Sequence, residues 1–176
     1  MKPHEIAERL VQQLGNPDRA GYMGANAALR RMNPAEPGSA AVVALNSLSD
    51  AGLELDGCSN SRLDCWLLVI HVLALARWRH HRSGSIGGGL AAMRLTDNRL
   101  KQLLSADFDV LRELLPRLAR RLGTLSSVPL VDLMPLVDLI FAAGLNPDRL
   151  HQARLDIARS YTLANYKNSQ QSRNAS

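Results

Sequence analysis

The run CWLLVIHVLALA, Cys65–Ala76, holds no Asp, Glu, Lys or Arg and a single histidine, His71, in about a dozen positions. A helix that is apolar all round has no face to offer water, so this run predicts a buried core helix. It is well short of the ~20 apolar residues that cross a bilayer, and no membrane partner is expected. Leu63, Leu67, Ile70 and Ala74 recur at helical spacing, which carries the predicted helix from Ser61 through the following basic cluster to Gly84.

The same period governs nearly every other segment, and no sustained alternation of period two is found. The chain therefore reads as all-α, a compact helical bundle of about eight or nine helices in two lobes. Its 176 residues, 46% of them hydrophobic, suffice for one domain with a core of its own. A first helix is expected over Pro3–Leu14, stopped by Gly15, Asn16 and Pro17, and a second over Tyr22–Met32, before NPAEPG. A small-residue helix follows from Ser39 to Leu48, and SDAGLELDGCSNS reads as a loop. Thr96 or Asp97 is placed to cap NRLKQLLSA, and Asp107 to cap FDVLRELLPRLARRLG. VPLVDLMPLVDLIFAAG reads as an apolar helix interrupted by Pro135, and Asn146 opens a long final helix to Lys167. The six-residue echo VPLVDL/MPLVDL is too short to be a structural repeat. The lobes are drawn as residues 1–95 and 96–167, forming a single functional domain, with the polar 168–176 as a disordered tail.

Charge is unevenly placed. The net charge is +5, yet Arg77–Arg121 alone carries ten Lys or Arg against four acids, a local net of +6. Such concentration is the footprint expected for a polyanion, because cationic side chains on phosphates release condensed counterions. The N-terminal MKPHEIAERLVQQL places Glu5 and Glu8 where a secretory leader needs an apolar stretch, so a cytoplasmic location is expected. Cys58 and Cys65 make neither a disulfide framework nor a zinc site.

The basic knot and the glycines after it, ARWRHHRSGSIGGGLAAM, invite comparison with phosphate-binding loops. GSIGGGLAA lacks the Lys and Ser/Thr of G-x-x-x-x-G-K-[ST]; Gly87, Gly89 and Ala92 satisfy G-x-G-x-x-A, but a helix precedes them where a dinucleotide site needs a strand. Gly87, Gly88 and Gly89 read instead as a loop that lets two helices approach closely. His80 and His81, adjacent on the predicted helix, point about 100° apart, do not make a metal face, and read as solvated. His71 reads as a core histidine with one hydrogen bond, and Asp132 and Asp138 as helix surface. No catalytic residue, metal site or cofactor is expected, and the chain does not read as an enzyme. What remains is a cationic surface. Arg117, Arg120 and Arg121 stand at i, i+3 and i+4, while Leu111, Leu114, Leu115, Leu118 and Leu122 face inward. Arg99, Lys101, Arg30 and Arg31 offer similar handles, and Arg77, Arg79 and Arg82 of the knot join the same holding surface. Aromatic residues are only 4% of the chain, which argues against base-stacking platforms. The expectation is backbone-directed, base-indifferent binding of nucleic acid; the alternative is a sequence-specific helical DNA-binding regulator with Arg94–Arg121 as a helix-turn-helix.

AALRRMNPAEP, GSIGGGLAAM, RLTDNRLKQLLSADFDVLRELLPRLARRL, VPLVDLMPLV and ARLDIARSYTLANYK together resemble the CasB family, the small subunit of the type I-E CRISPR surveillance complex Cascade. The resemblance spans roughly residues 20–167. Its most specific part is the order of S-x-G-x-x-L (Ser85, Gly87, Leu90), R-x-x-x-x-R (Arg94, Arg99) and Q-L-L-x-A-D (Gln102 to Asp107). It implies an all-helical, non-catalytic protein of two lobes, present as two copies head to tail. Its implied partners are the CasA large subunit, the CasC backbone subunits, a second copy of itself, the crRNA and the target DNA. There it would hold the crRNA–target duplex and the displaced strand, stabilising the R-loop, while base pairing with the guide reads sequence. Arg30 and Arg31 fall on the family's Arg-Arg after the second helix, and Arg94 and Arg99 on its arginines between the glycine turn and the Q-L-L phrase. Arg117, Arg120 and Arg121 rest on helical geometry more than on motif. Gly88 and Gly89 depart from an arginine-alanine pair, and Leu133 from a tryptophan, that are common in the family.

Overall fold

The computed structural model describes residues 2–16, 22–125 and 130–174; Pro17, the Val128–Pro129 opening of VPLVDL and the last two residues of the polar tail lie outside them. Among the described residues the regular structure is nine helices: α1 Pro3–Leu14, α2 Tyr22–Arg31, α3 Ala40–Asp50, α4 Asn60–Leu75, α5 Ile86–Ala92, α6 Asp97–Ser105, α7 Phe108–Thr124, α8 Met134–Leu145 and α9 Pro147–Asn174. No strand occurs among them, and the all-α reading holds.

The apolar run is the pivot, as its composition demands. Every residue of α4 from Cys65 to Leu75 is buried, and α1, α2, α3, α7 and α8 pack around it. Trp66 meets Phe141 of α8 edge to face, with ring centroids 4.9 Å apart. His71 joins this core as expected, its Nδ1 2.7 Å from the Leu29 carbonyl oxygen, and burial pushes its pKa below the ordinary histidine value. One continuous core runs from Ile6 to Tyr161. No helix among the described residues is long and apolar enough to cross a membrane.

α4 does not run on to Gly84; it stops at Leu75. The Trp78 N–H bonds the Leu73 carbonyl (2.9 Å) and the Arg77 N–H the Ala74 carbonyl (3.1 Å), the paired bonds of a Schellman motif. Such a turn needs a left-handed residue just past the helix, and Arg77 takes that position at φ 55°, followed by Trp78 at φ 56°. Trp78 holds the reversal in place: its ring is buried, its Nε1 donates to Asn26 Oδ1, and Asn26 Nδ2 donates to the Leu14 carbonyl at 3.2 Å. The end of α3 is built the same way, with Gly52 at φ 97°, and so is the end of α5, with Arg94 at φ 51°. Glycine is the usual occupant of this position because it lacks the Cβ that crowds the following carbonyl. Two of these three turns carry arginine instead.

The chain from His81 to Ser85 then runs beside the chain before α8. The His81 N–H donates to the Val131 carbonyl (2.8 Å) and the Ser85 N–H to the Leu130 carbonyl (3.0 Å). The glycine stretch is not a loop but the helix α5, capped by Ser85, whose Oγ accepts from the Gly88 N–H at 3.1 Å. The close approach expected of it is present within that helix: a Cβ on Gly87 would lie 2.0 Å from the Ser160 carbonyl oxygen of α9. Ser160 Oγ accepts from the Gly87 N–H (3.0 Å) and meets Ser85 Oγ at 2.9 Å. Pro135 does not interrupt a helix either. It sits in the first turn of α8, where its missing N–H costs nothing. α9 passes Lys167 and continues to Asn174, its extension supported by Ser169 Oγ on the Asn165 carbonyl (2.9 Å) and Gln170 Nε2 on Tyr166 Oη (3.1 Å). Those two local bonds give a polar segment helical partners that apolar periodicity does not register.

Candidate nucleic-acid interface

α6 and α7 form the densest outward-facing cationic feature of the Arg77–Arg121 segment. Thr96 caps α6, its Oγ1 accepting from the Arg99 N–H (3.4 Å), and Asp107 caps α7, its Oδ1 accepting from the Val110 N–H (2.9 Å). Leu100 and Leu103 of α6 and Leu111, Leu115, Leu118 and Leu122 of α7 are buried. Amphipathicity therefore turns the basic positions outward. Arg99, Arg117 and Arg121, all exposed, meet around a hollow of about 340 Å³ with Leu103, Leu114 and Leu118 in its floor. Arg121 Nη2 donates to the Met93 carbonyl at 2.9 Å, which fixes that guanidinium against the end of α5; a guanidinium has further N–H donors beyond the one used there. Among the described residues no acidic side chain lines the hollow. Arg94, in its left-handed turn, stands between Met93 and Leu95, which both line it.

The other basic positions are dispersed. Arg120 does not line the hollow with its neighbours; it lies near enough to His71 for its charge to help depress that histidine's pKa, after the larger effect of burial. The i, i+3, i+4 cluster is thus divided, because positions 120 and 121 turn about 100° apart around α7. Lys101 is exposed on α6. Arg30 Nε donates to the Ala74 carbonyl (3.1 Å) and so satisfies the end of α4, and Arg31 Nε donates to Ala27 of its own helix (3.1 Å).

The knot is largely consumed by the fold. Arg77 is exposed in its left-handed turn. Arg79 Nη1 donates to the Leu125 carbonyl at 2.5 Å. Arg82 grips Glu8 of α1 with two bonds, Nε to Oε1 at 2.8 Å and Nη2 to Oε2, and this pairing holds the Glu8 carboxyl below its usual range. His80, expected in solvent, has a side chain only 5% exposed. Its Nδ1 accepts from the Leu133 N–H (3.2 Å) and lies 3.3 Å from Asp132 Oδ1. Burial pushes its pKa down against the pull of Asp132. Nearby, His4 Nε2 pairs with Asp138 Oδ1 at 2.7 Å, and that bond raises the His4 pKa. These contacts join positions 4, 8, 80, 82, 132 and 138, and no spacing in the sequence announces them.

Burial lifts the Cys65 thiol to about 12, far from a reactive thiolate. Among the described residues no group of three or more His, Cys, Asp or Glu could hold a metal ion.

No curated protein and no solved structure matches the chain at a significant level. The family model described as CRISPR-associated protein Cse2 matches residues 25–161, more than three quarters of the chain. That span takes in α3 to α8, the hollow and the strained arginine turns, and leaves α1 outside. The chain therefore belongs to the CRISPR-associated Cse2 family, the CasB small subunit of type I-E Cascade, a non-catalytic structural subunit of that complex.

Proposed function

We propose that this protein holds nucleic-acid backbone inside Cascade and thereby stabilises the R-loop, both the crRNA–target duplex and the displaced strand. The observation that carries the reading is the convergence of Arg99, Arg117 and Arg121 on one hollow that, among the described residues, no carboxylate lines. Guanidinium groups suit phosphate oxygens because their planar fork can give two parallel bonds, and R-loop formation is so nearly balanced that backbone contacts can tip it. Arg94 and Arg77 extend the surface. Each keeps a left-handed backbone that glycine would adopt more cheaply, a strain best accounted for by the charge it delivers. Lys101, Arg120, Arg30 and Arg31 add to the field around it. Arg79 and Arg82, bonded within the fold, serve mainly to shape the surface. The protein works without catalysis of its own, in the cytoplasm, against the CasA and CasC subunits and a second copy of itself.

The test is R-loop formation by a reconstituted complex across a salt series. Omitting the subunit weakens the R-loop. Changing Arg99, Arg117 and Arg121 together to alanine lowers the slope of log affinity on log salt by about two to three, since each phosphate contact contributes nearly one. Changing Arg79 and Arg82 leaves that slope within about half a unit of wild type. Equal slopes for both variants would remove the hollow from the interface, and a strong preference for one duplex sequence would favour a sequence-reading regulator.

A further inference from the structure

We infer that the α6–α7 hollow receives an unstacked base from a single strand, with the flanking phosphates on Arg99, Arg117 and Arg121; this deepens the backbone-holding reading and rests on it. The hollow is chemically divided into a cationic rim and an aliphatic floor built from Leu103, Leu114 and Leu118. Its volume of about 340 Å³ falls in the roughly 300–1,000 Å³ range of small-molecule sites. A nucleotide has the matching division, a flat base of low polarity beside an anionic phosphate.

A duplex cannot use both parts. Its bases are stacked and paired inside, so it would offer phosphates to the rim and leave the floor in contact with water. A single strand, such as the one displaced in an R-loop, can splay a base inward while its backbone stays on the arginines. Gln102, also at the hollow, carries both a donor and an acceptor in its amide, which suits the edge of any base. Among the described residues no aromatic ring lines the hollow, so the base is held by apolar burial without stacking. The contact thus discriminates strandedness and tolerates base identity, in keeping with a complex whose sequence reading is done by the guide.

The experiment is NMR of the full chain with labelled methionine and leucine methyls and arginine side-chain N–H groups. It is titrated with short oligo-dT, with an abasic strand of equal length, with duplex DNA and with an acidic peptide bearing leucines. Oligo-dT shifts the Met93, Leu103 and Leu114 methyls as well as the Arg99 and Arg117 signals, whereas the abasic strand and the duplex shift the arginine signals alone. Leu114→Gln, on a half-buried position of α7, weakens oligo-dT about three- to tenfold, the worth of one partly buried apolar contact, and leaves the abasic strand unchanged. Methyl shifts of equal size with the abasic strand or duplex would overturn the base site. So would methyl shifts with the peptide but not with oligo-dT, which would assign the hollow to a protein partner. Arginine signals that move without the methyls sink the base and spare the backbone reading; arginine signals that no nucleic acid moves sink both.

Discussion

The knot at residues 77–84 and the hollow between α6 and α7 have similar cationic composition and opposite fates. In the knot, Arg82 is gripped by Glu8, Arg79 by the Leu125 carbonyl, the His80 side chain is almost wholly covered, and Trp78 between them is a core residue. Around the hollow, Arg99, Arg117 and Arg121 are exposed, and among the described residues no carboxylate lines the hollow they share. Charge density along a chain and charge offered to a partner are therefore different quantities. The difference is set by what folds back onto each cation: the Leu125 carbonyl and Glu8 of α1 for the knot, and for the hollow mostly leucines, with one carbonyl, that of Met93, on Arg121.

The comparison is broken most directly at Trp78. If the knot is structural, Trp78→Ala removes a buried ring and strips Asn26 of its indole partner, at a cost of about 3–5 kcal/mol in chemical denaturation. A loss below about 1 kcal/mol would return the knot to the solvated surface. A smaller effect, of opposite sign, is expected beside the hollow. Arg94→Gly relieves the left-handed turn and raises stability by about 1 kcal/mol, while lowering the salt slope of nucleic-acid binding by about one. A stability gain with no change in slope would mean that Arg94 holds its strained turn for some reason other than phosphate.

The smallest effect concerns pH and the ion pairs that tie α1 to α8 and to the knot. The Asp138 hydrogen bond raises His4 above the ordinary value of about 6.5. Its contribution is therefore complete below that value and disappears as pH rises through the folded pKa. Burial lowers His71 and His80, so their contribution is present above about 6.5 and is lost as pH falls toward their folded values. Asp138→Asn should cost about 0.5 kcal/mol or less near pH 5.5, because both partners are partly exposed, and nothing measurable near pH 9. Thermal unfolding at both pH values checks it; an equal loss at the two would detach the effect from His4 protonation.

Much of the fold was legible in residue order. α1 begins and ends where Pro3 and Gly15 place it, Asp107 caps α7, and the apolar Cys65–Ala76 run is the buried centre. The arginines at 99, 117 and 121 were legible as outward-facing because leucine spacing defines a helix's inner face. Their convergence was not legible, since it depends on how α6, α7 and the end of α5 meet. The division of Arg120 from Arg121 has the same origin.

By itself, the sequence determined an all-helical chain, a core centred on α4 and a basic segment from Arg77 to Arg121, because propensity, capping and periodicity act over a few neighbouring residues. Only the tertiary structure decided which of those cations the fold consumes. Asn26 and Trp78 lie 52 residues apart in sequence, Glu8 and Arg82 lie 74 apart, and Gly87 and Ser160 lie 73 apart. Such contacts depend on how the helices pack around the buried α4. They end α4 early, turn the glycine stretch into a helix that α9 can approach, and leave the hollow's three arginines facing out.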